Sequence, residues 1–325
     1  MTASKHLVAL LRSHIDGDNE QFLSIAMQVA AHEARQGHGN IAKQLRDLVD
    51  EARTLKASRA SRPVPLAQPK GDLAALVSAS YSDTRLANMV LPAALEERLK
   101  RIVTEQRQHH KLIAYGLRPR RKILLIGPPG SGKTMTASAL AGELTLPLLT
   151  VVLDSLITRF LGETAAKLRL VFDAMLQTRG VYLFDEFDAI GARRAERNDV
   201  GEIRRVLNSF LQFLENDESD SLIIAATNHP ELLDPALFRR FDDVIQYGLP
   251  NSSIAEGILR VRLSGFETSG MRWKEVVEAT AGLSQAEITR AAEEAAKRAI
   301  LSDRMRVSRE DLLATITERK ASSDH

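Results

Sequence analysis

The 325-residue chain contains no cysteine. Disulfides and thiolate metal sites are thereby excluded, and the absence fits a reducing cytosol. An excess of charge is missing too: Lys and Arg number 44 against 42 Asp and Glu. No whole-molecule field therefore draws the protein onto nucleic acid or an anionic membrane, and only local basic patches could do so. Long apolar runs are also lacking. The opening MTASKHLVALLRSHIDGD is too short in its apolar part for a signal peptide, and no later segment approaches membrane-spanning length, so the expectation is a cytoplasmic protein without membrane contact. No tandem repeat and no peptidase motif is visible, and His109 and His110 have no companion residues at metal-ligand spacing. With 44% hydrophobic and 26% charged residues, the composition is that of an ordinary globular protein rather than an extended disordered chain.

Organisation follows from periodicity. Residues 1–55 read as a helical domain: Phe22, Ile25, Ala26 and Val29 recur at helical spacing, as do Ile41, Leu45, Leu48 and Ala52. Residues 56–72, KASRASRPVPLAQPKGD, carry three prolines and scattered cations and read as a flexible linker. From residue 73 to 249, short apolar runs alternate with longer helical patterns. The runs are KILLI (122–126), LLTVVL (148–153), VYLF (181–184), SLIIAA (221–226) and DVIQY (243–247). Such alternation predicts an α/β domain with a parallel sheet between helices. After Pro250 the strand signals stop, and residues 250–320 read as helical. Ser284 with Glu287, and Ser308 with Asp311, stand as capping pairs at two helix starts.

GPPGSGKT, residues 127–134, lies between the run KILLI and the helix-prone TMTASALAGEL. Strand, glycine loop and helix in that order make a phosphate-binding loop: backbone N–H groups surround phosphate oxygens and the helix dipole adds positive potential. The candidate nucleotide contacts are Pro129, Gly130, Ser131, Gly132, Lys133, Thr134 and Met135. Lys133 would neutralise the β- and γ-phosphates of ATP and Thr134 would ligate Mg2+. VYLFDEFD, residues 181–188, ends an apolar strand in Asp185 and Glu186, at the sheet edge where ligands bind. Asp185 suits the magnesium shell and Glu186 can polarise an attacking water.

With these two motifs and AATNHPELLDPALFRRFDD (225–243), the sequence resembles the AAA+ ATPases, in particular their classical AAA clade, from about residue 85 to 320. The resemblance implies a P-loop NTPase fold with a five-stranded parallel sheet of order 5-1-4-3-2, a C-terminal helical lid, and assembly into a ring, usually a hexamer. Residues 73–249 would be the large subdomain and 250–320 the lid, with the all-α N-terminal domain separate from both. It implies that Asn228 orients the attacking water. Arg239 and Arg240 match arginines that reach into a neighbour's ATP site; the family usually separates the pair, whereas here they are adjacent, and Arg239 is the favoured finger. The competing reading pairs either arginine with Asp242 or Asp243 of its own subunit. GLSQAEI (282–288) resembles the clade's lid motif, in which a second sensor arginine is commonly missing; Arg290, one turn away, reads as a surface arginine. MVLPAALEERL (89–99) resembles the segment where adenine is seated.

The segment before LGET resembles a pore loop, with Phe160 as the aromatic that grips polypeptide and Leu161 and Gly162 beside it. An aromatic ring there offers apolar contact to any side chain at little entropic cost. The alternative places Phe160 and Leu161 on the core face of the helix running through LRLVFDAM. GARRAERNDVGEIRR (191–205) carries five arginines interleaved with Glu196, Asp199 and Glu202 and has no aromatic for base stacking. The resemblance places intersubunit or channel contacts here, and nucleic-acid binding is not favoured. The expected activity is ATP hydrolysis driving the unfolding, threading or disassembly of a polypeptide client by a homo-oligomeric ring, with a separately encoded partner such as a protease. The alternatives are a nucleic-acid-handling ATPase and an ATP-dependent regulatory scaffold. The N-terminal helices would select clients or hold the ring together.

Overall fold

A computed structural model of the chain describes residues 71–156, 161–188, 200–233 and 235–323, with residue 69 and scattered residues between 25 and 49. The chain divides into two units, Met1–Pro65 and Leu66–His325, and the division falls inside the proline-bearing stretch 56–72. In the first unit the described residues are helical apart from His38. Their buried positions are Ala26, Ala30, Ala42 and Val49, while Ile41 is 49% exposed. Of the face expected through Ile41, Leu45, Leu48 and Ala52, Leu45 is half-buried and Leu48 and Ala52 lie outside the described residues.

The second unit is built on a six-stranded sheet. Its strands are β1 (Val77–Ser80), β2 (Lys122–Ile126), β3 (Leu148–Val151), β4 (Val181–Phe184), β5 (Leu222–Thr227) and β6 (Asp243–Gln246). The order is β1-β3-β4-β5-β2-β6. The expectation of five wholly parallel strands is corrected. β1 adds to the edge of the sheet antiparallel to β3, with Val77 opposite Val151, whereas the other pairings are parallel. VSAS has one large apolar residue and no run, so periodicity does not reveal it as a strand; its partner edge is what holds it there. Counted alone, the parallel strands run fifth, first, fourth, third, second across the sheet.

Side chains alternate across the sheet and build two cores. Leu124, Tyr182, Phe184, Ile223 and Ala225 face one side, where helices α3 (Leu161–Gln177) and α4 (Val200–Asn216) cover them with Phe172, Phe210 and Leu214. Ile123, Leu125, Leu183 and Ile224 face the other, under α1 (Ala93–Arg107) and α2 (Lys133–Leu144), which supply Leu99, Ile102 and Leu140. Both faces being dry explains why the strands read as continuous apolar runs. On the first side the rings of Phe172, Phe184, Phe187 and Phe210 pack with centroids 4.7–6.2 Å apart.

The C-terminal segment expected as a lid is a separate core of four helices: α5 (Ser252–Arg262), α6 (Trp273–Ala279), α7 (Gln285–Leu301) and α8 (Arg309–Ser323). Small residues of α7, Ala291, Ala292, Ala295 and Ala299, are fully buried and let the neighbouring helices approach closely. Each long helix start is satisfied by a side chain. Asn251 Oδ1 accepts from the Ile254 N–H at 2.9 Å. Ser284 and Glu287 form the expected reciprocal capping box, and Ser308 and Asp311 exchange the same pair of bonds.

Candidate active site

The loop after β2 turns through three glycines into α2. Gly132, the N-cap residue of α2, has φ 98°, and Gly130 has φ 72°, left-handed conformations that side chains rarely adopt. A Cβ on Gly130 would lie 2.7 Å from Ser284 Oγ of the lid, so this loop passes directly beneath α7. Ser131 is buried and its Oγ has no hydrogen-bond partner.

Lys133 begins α2 and turns its Nζ back across the loop, donating to Gly127 O at 2.7 Å, Pro128 O at 2.9 Å and Asn228 Oδ1 at 2.7 Å. Burial lowers its pKa, and the nearby carboxylates of Asp185 and Asp188 oppose that shift. One residue on, Thr134 Oγ1 donates to Asp185 Oδ2 at 2.6 Å. The phosphate loop after β2 and the acidic end of β4 therefore meet across the end of β5, which lies between those two strands in the sheet.

Glu186 is exposed and has φ 51°, a conformation costing of order 1–3 kcal/mol for a non-glycine residue. The Phe187 N–H donates to Ala226 O at 2.8 Å and tethers this turn to β5. Asp188 completes the tether: its Oδ1 accepts from Thr227 Oγ1 at 2.9 Å and from the Asn228 N–H at 3.2 Å. Asp188 was not singled out by sequence reasoning. The only available signal was a third carboxylate beside two functional ones.

Lys133, Thr134, Asp185, Glu186 and Asn228 border a cavity of about 520 Å³ between sheet and lid, within the range of small-molecule sites. Met135 lies with them. Met89 and Val90, from the segment linked above to adenine seating, border the cavity together with Ile258 and Val261 of α5. Arg290 also borders it, although its spacing marked it as a surface residue; the two descriptions are compatible, because the residue is exposed at the cavity mouth. Beneath the loop, Tyr247 Oη and Thr136 Oγ1 lie 2.5 Å apart, and burial pushes the tyrosine pKa up to about 12.

The oxygen pair of Thr134 and Asp185 fits a magnesium ion, which typically takes few protein ligands and completes its shell with water and nucleotide phosphates. Among the described residues no group of three or more His, Cys, Asp or Glu side chains could hold a metal alone.

The adjacent arginines diverge. Arg240 forms an ion pair with Glu215 on α4 of its own chain. Arg239 is exposed and has no ion pair among the described residues. Neither meets Asp242 or Asp243, which corrects the competing reading. Asp242 accepts the backbone N–H groups of Arg121 and Lys122 at 2.8 and 2.9 Å, and Asp243 pairs with Arg98 and Arg120.

Phe160 and residues 191–199 lie outside the described residues. Leu161 and Gly162 open α3 rather than a loop. The buried positions Leu168, Val171, Phe172 and Met175 give this helix its apolar face, and the first turn joins it without a break.

A family model for the ATPase family associated with various cellular activities (AAA) matches residues 123–249, from β2 through the end of the sheet. An uncharacterized AAA family ATPase of Sinorhizobium fredii is 33% identical over 314 residues, 96% of this chain and 93% of that protein. The chain belongs to the AAA family. As an AAA protein it is an ATP hydrolase, and its P-loop, acidic strand end and lid are the parts described above. It is also similar to the proteasome-activating nucleotidase of Thermococcus onnurineus, 38% identical over 62% of this chain and 52% of that protein. The ATP-dependent zinc metalloprotease FtsH 1 of Methylacidiphilum infernorum is 36% identical over 66% of this chain and 35% of that protein. The AAA chain thus spans about half and a third, respectively, of these two relatives. Among its described residues no helix is long and apolar enough to cross a membrane.

Proposed function

We propose that this AAA ATPase is a magnesium-dependent motor, assembled as a cytoplasmic homo-oligomeric ring of six subunits, that pulls on a polypeptide client.

 Hydrolysis would transfer the γ-phosphoryl group of ATP to water. Lys133 would neutralise the β- and γ-phosphates, and Thr134 and Asp185 would hold Mg2+, which when bound supplies positive charge to the developing phosphoryl oxygens. Glu186 would polarise the attacking water and Asn228 would orient it. Arg239 would reach the neighbouring subunit's nucleotide, so that turnover reports correct docking. One observation carries the reading: Lys133, Thr134, Asp185 and Asn228, from three separate strand ends, are joined by direct hydrogen bonds at one edge of the sheet, beneath a helical lid. Movement of the lid with nucleotide state would be the mechanical step.

The action on polypeptide rests on similarity to relatives named as a proteasome-activating nucleotidase and a metalloprotease. In this reading Phe160 grips the client, the N-terminal helices of residues 1–55 select it, and a separate protease is a partner. The test is to trap clients on the Glu186→Gln protein with ATP and identify them, with Phe160→Ala in the same background as control. Retention of polypeptide that is lost in the control supports the motor. Retention unaffected by Phe160→Ala removes the pore-loop assignment, and hydrolysis stimulated by DNA or RNA instead of protein overturns the choice of client.

A further inference from the structure

Three consecutive lid residues, Ser284 to Ala286, lie against the phosphate loop. The Ala286 N–H donates to Gly130 O at 3.0 Å. A Cβ on Gly130 would meet Ser284 Oγ at 2.7 Å, and one on Gly132 would meet Gln285 Oε1 at 3.6 Å. Ser284 and Ala286 have evident tasks: one caps α7 and the other ties the lid to the loop. Gln285, between them, is half-buried and borders the same cavity as Lys133 and Thr134. Its carboxamide has two N–H donors and forms no hydrogen bond among the described residues. An amide held at the mouth of a phosphate cradle without a protein partner is a donor available to an anion.

We propose that Gln285 is a lid-borne ligand of the nucleotide's diphosphate, donating its side-chain N–H to a phosphate oxygen shared by ATP and ADP. The inference rests on the nucleotide-site reading above. Its position decides which part of the nucleotide it serves. Gln285 lies over Gly132, at the start of α2, whereas the groups assigned to hydrolysis, Asp185 and Asn228, approach from the ends of β4 and β5. The side chain belongs to the first turn of α7, so a contact to the diphosphate would draw the lid helix onto the loop together with the Ala286 bond. Loss of that contact would weaken both nucleotides, because the γ-phosphate is not its partner.

The experiment measures binding of fluorescent ADP and ATP analogues, with magnesium, to the full chain and to Gln285→Ala and Gln285→Glu. Each variant's unfolding midpoint without nucleotide serves as the folding control. Gln285→Ala is expected to weaken both analogues by about tenfold. Gln285→Glu is expected to weaken them further, because it replaces the donor with a negative charge facing phosphate. Wild-type affinity in both variants overturns the proposal while leaving the site reading intact. So does a loss confined to the ATP analogue, which would place the contact at the γ-phosphate. Absence of binding by the unaltered chain would instead overturn the site reading itself.

Discussion

Lys133 Nζ and Asn228 Oδ1 are joined by a 2.7 Å hydrogen bond across 95 residues of sequence. The bond couples the group that would neutralise phosphate charge to the group that would orient water. It predicts separable defects. Lys133→Ala should abolish measurable ATP binding, whereas Asn228→Ala should retain binding and lower turnover by about 100-fold, the scale expected when a reacting group is misplaced by an ångström. Equilibrium nucleotide binding and steady-state phosphate release distinguish the two, and normal turnover in Asn228→Ala would remove Asn228 from the site.

Asp188 should act through Asn228. Its Oδ1 receives Thr227 Oγ1 and the Asn228 N–H, so Asp188→Ala frees the residue that faces Lys133. Turnover is expected to fall by about tenfold to 100-fold. Asp188→Asn keeps an acceptor oxygen and should recover most of the loss. If the asparagine variant is as impaired as the alanine one, the carboxylate charge matters rather than the positioning bond.

Arg240 and Arg239 should fail differently. The Arg240 pair with Glu215 is partly exposed, so Glu215→Ala should cost no more than about 1 kcal/mol of stability in chemical denaturation. Arg239→Ala should leave the denaturation midpoint in place and lower turnover by about 10³-fold or more. Mixing Arg239→Ala with Lys133→Ala subunits should restore part of the activity, since an interface at which the Lys133→Ala subunit offers its finger to the loop of the Arg239→Ala subunit is intact. No recovery in demonstrably mixed assemblies would count against action across the interface.

The lid should carry an acid-sensitive contact. Arg304 holds the Asp311 carboxyl down to about 2, helped by the Ser308 backbone and hydroxyl. The folded-state pKa lies below the ordinary aspartate value, so the unfolded chain binds the proton more tightly. The contribution is therefore fully present above about pH 4 and is lost as pH falls from there toward 2. At neutral pH, Asp311→Asn should cost about 1–2 kcal/mol, allowing for solvent screening. The difference between variant and unaltered chain should shrink across that acid window in denaturation curves; a difference constant with pH would remove the ion pair as its cause.

Much of the fold was legible because local chain geometry writes itself into spacing. KILLI and VYLF are β2 and β4 with the same limits, since strands buried on both faces leave continuous apolar runs. The capping pairs at Ser284 and Ser308 were legible for the same reason: a cap needs only residues three apart. VSAS was not, because its strand character comes from the edge of β3 and not from its own side chains. The helical start at Leu161 was hidden as well, the glycine beside it being an equally good sign of a loop.

What the sequence alone determined is the chemistry of the site: a glycine loop with Lys133 and Thr134, a strand ending in Asp185 and Glu186, and Asn228 with two arginines following in order. Each is a residue type at a fixed separation along one short segment. Tertiary structure decided which of those groups touch and which remain available. It set Arg240 on Glu215 and left Arg239 exposed, placed Asp188 behind Asn228, and brought Gln285 and Arg290 of the lid to the cavity above the loop. Those relationships join segments tens of residues apart, and they depend on sheet order and on how the lid packs against the loop. Neither leaves a period in the chain, because a contact through space is fixed by the folded path between two residues and not by their separation along it.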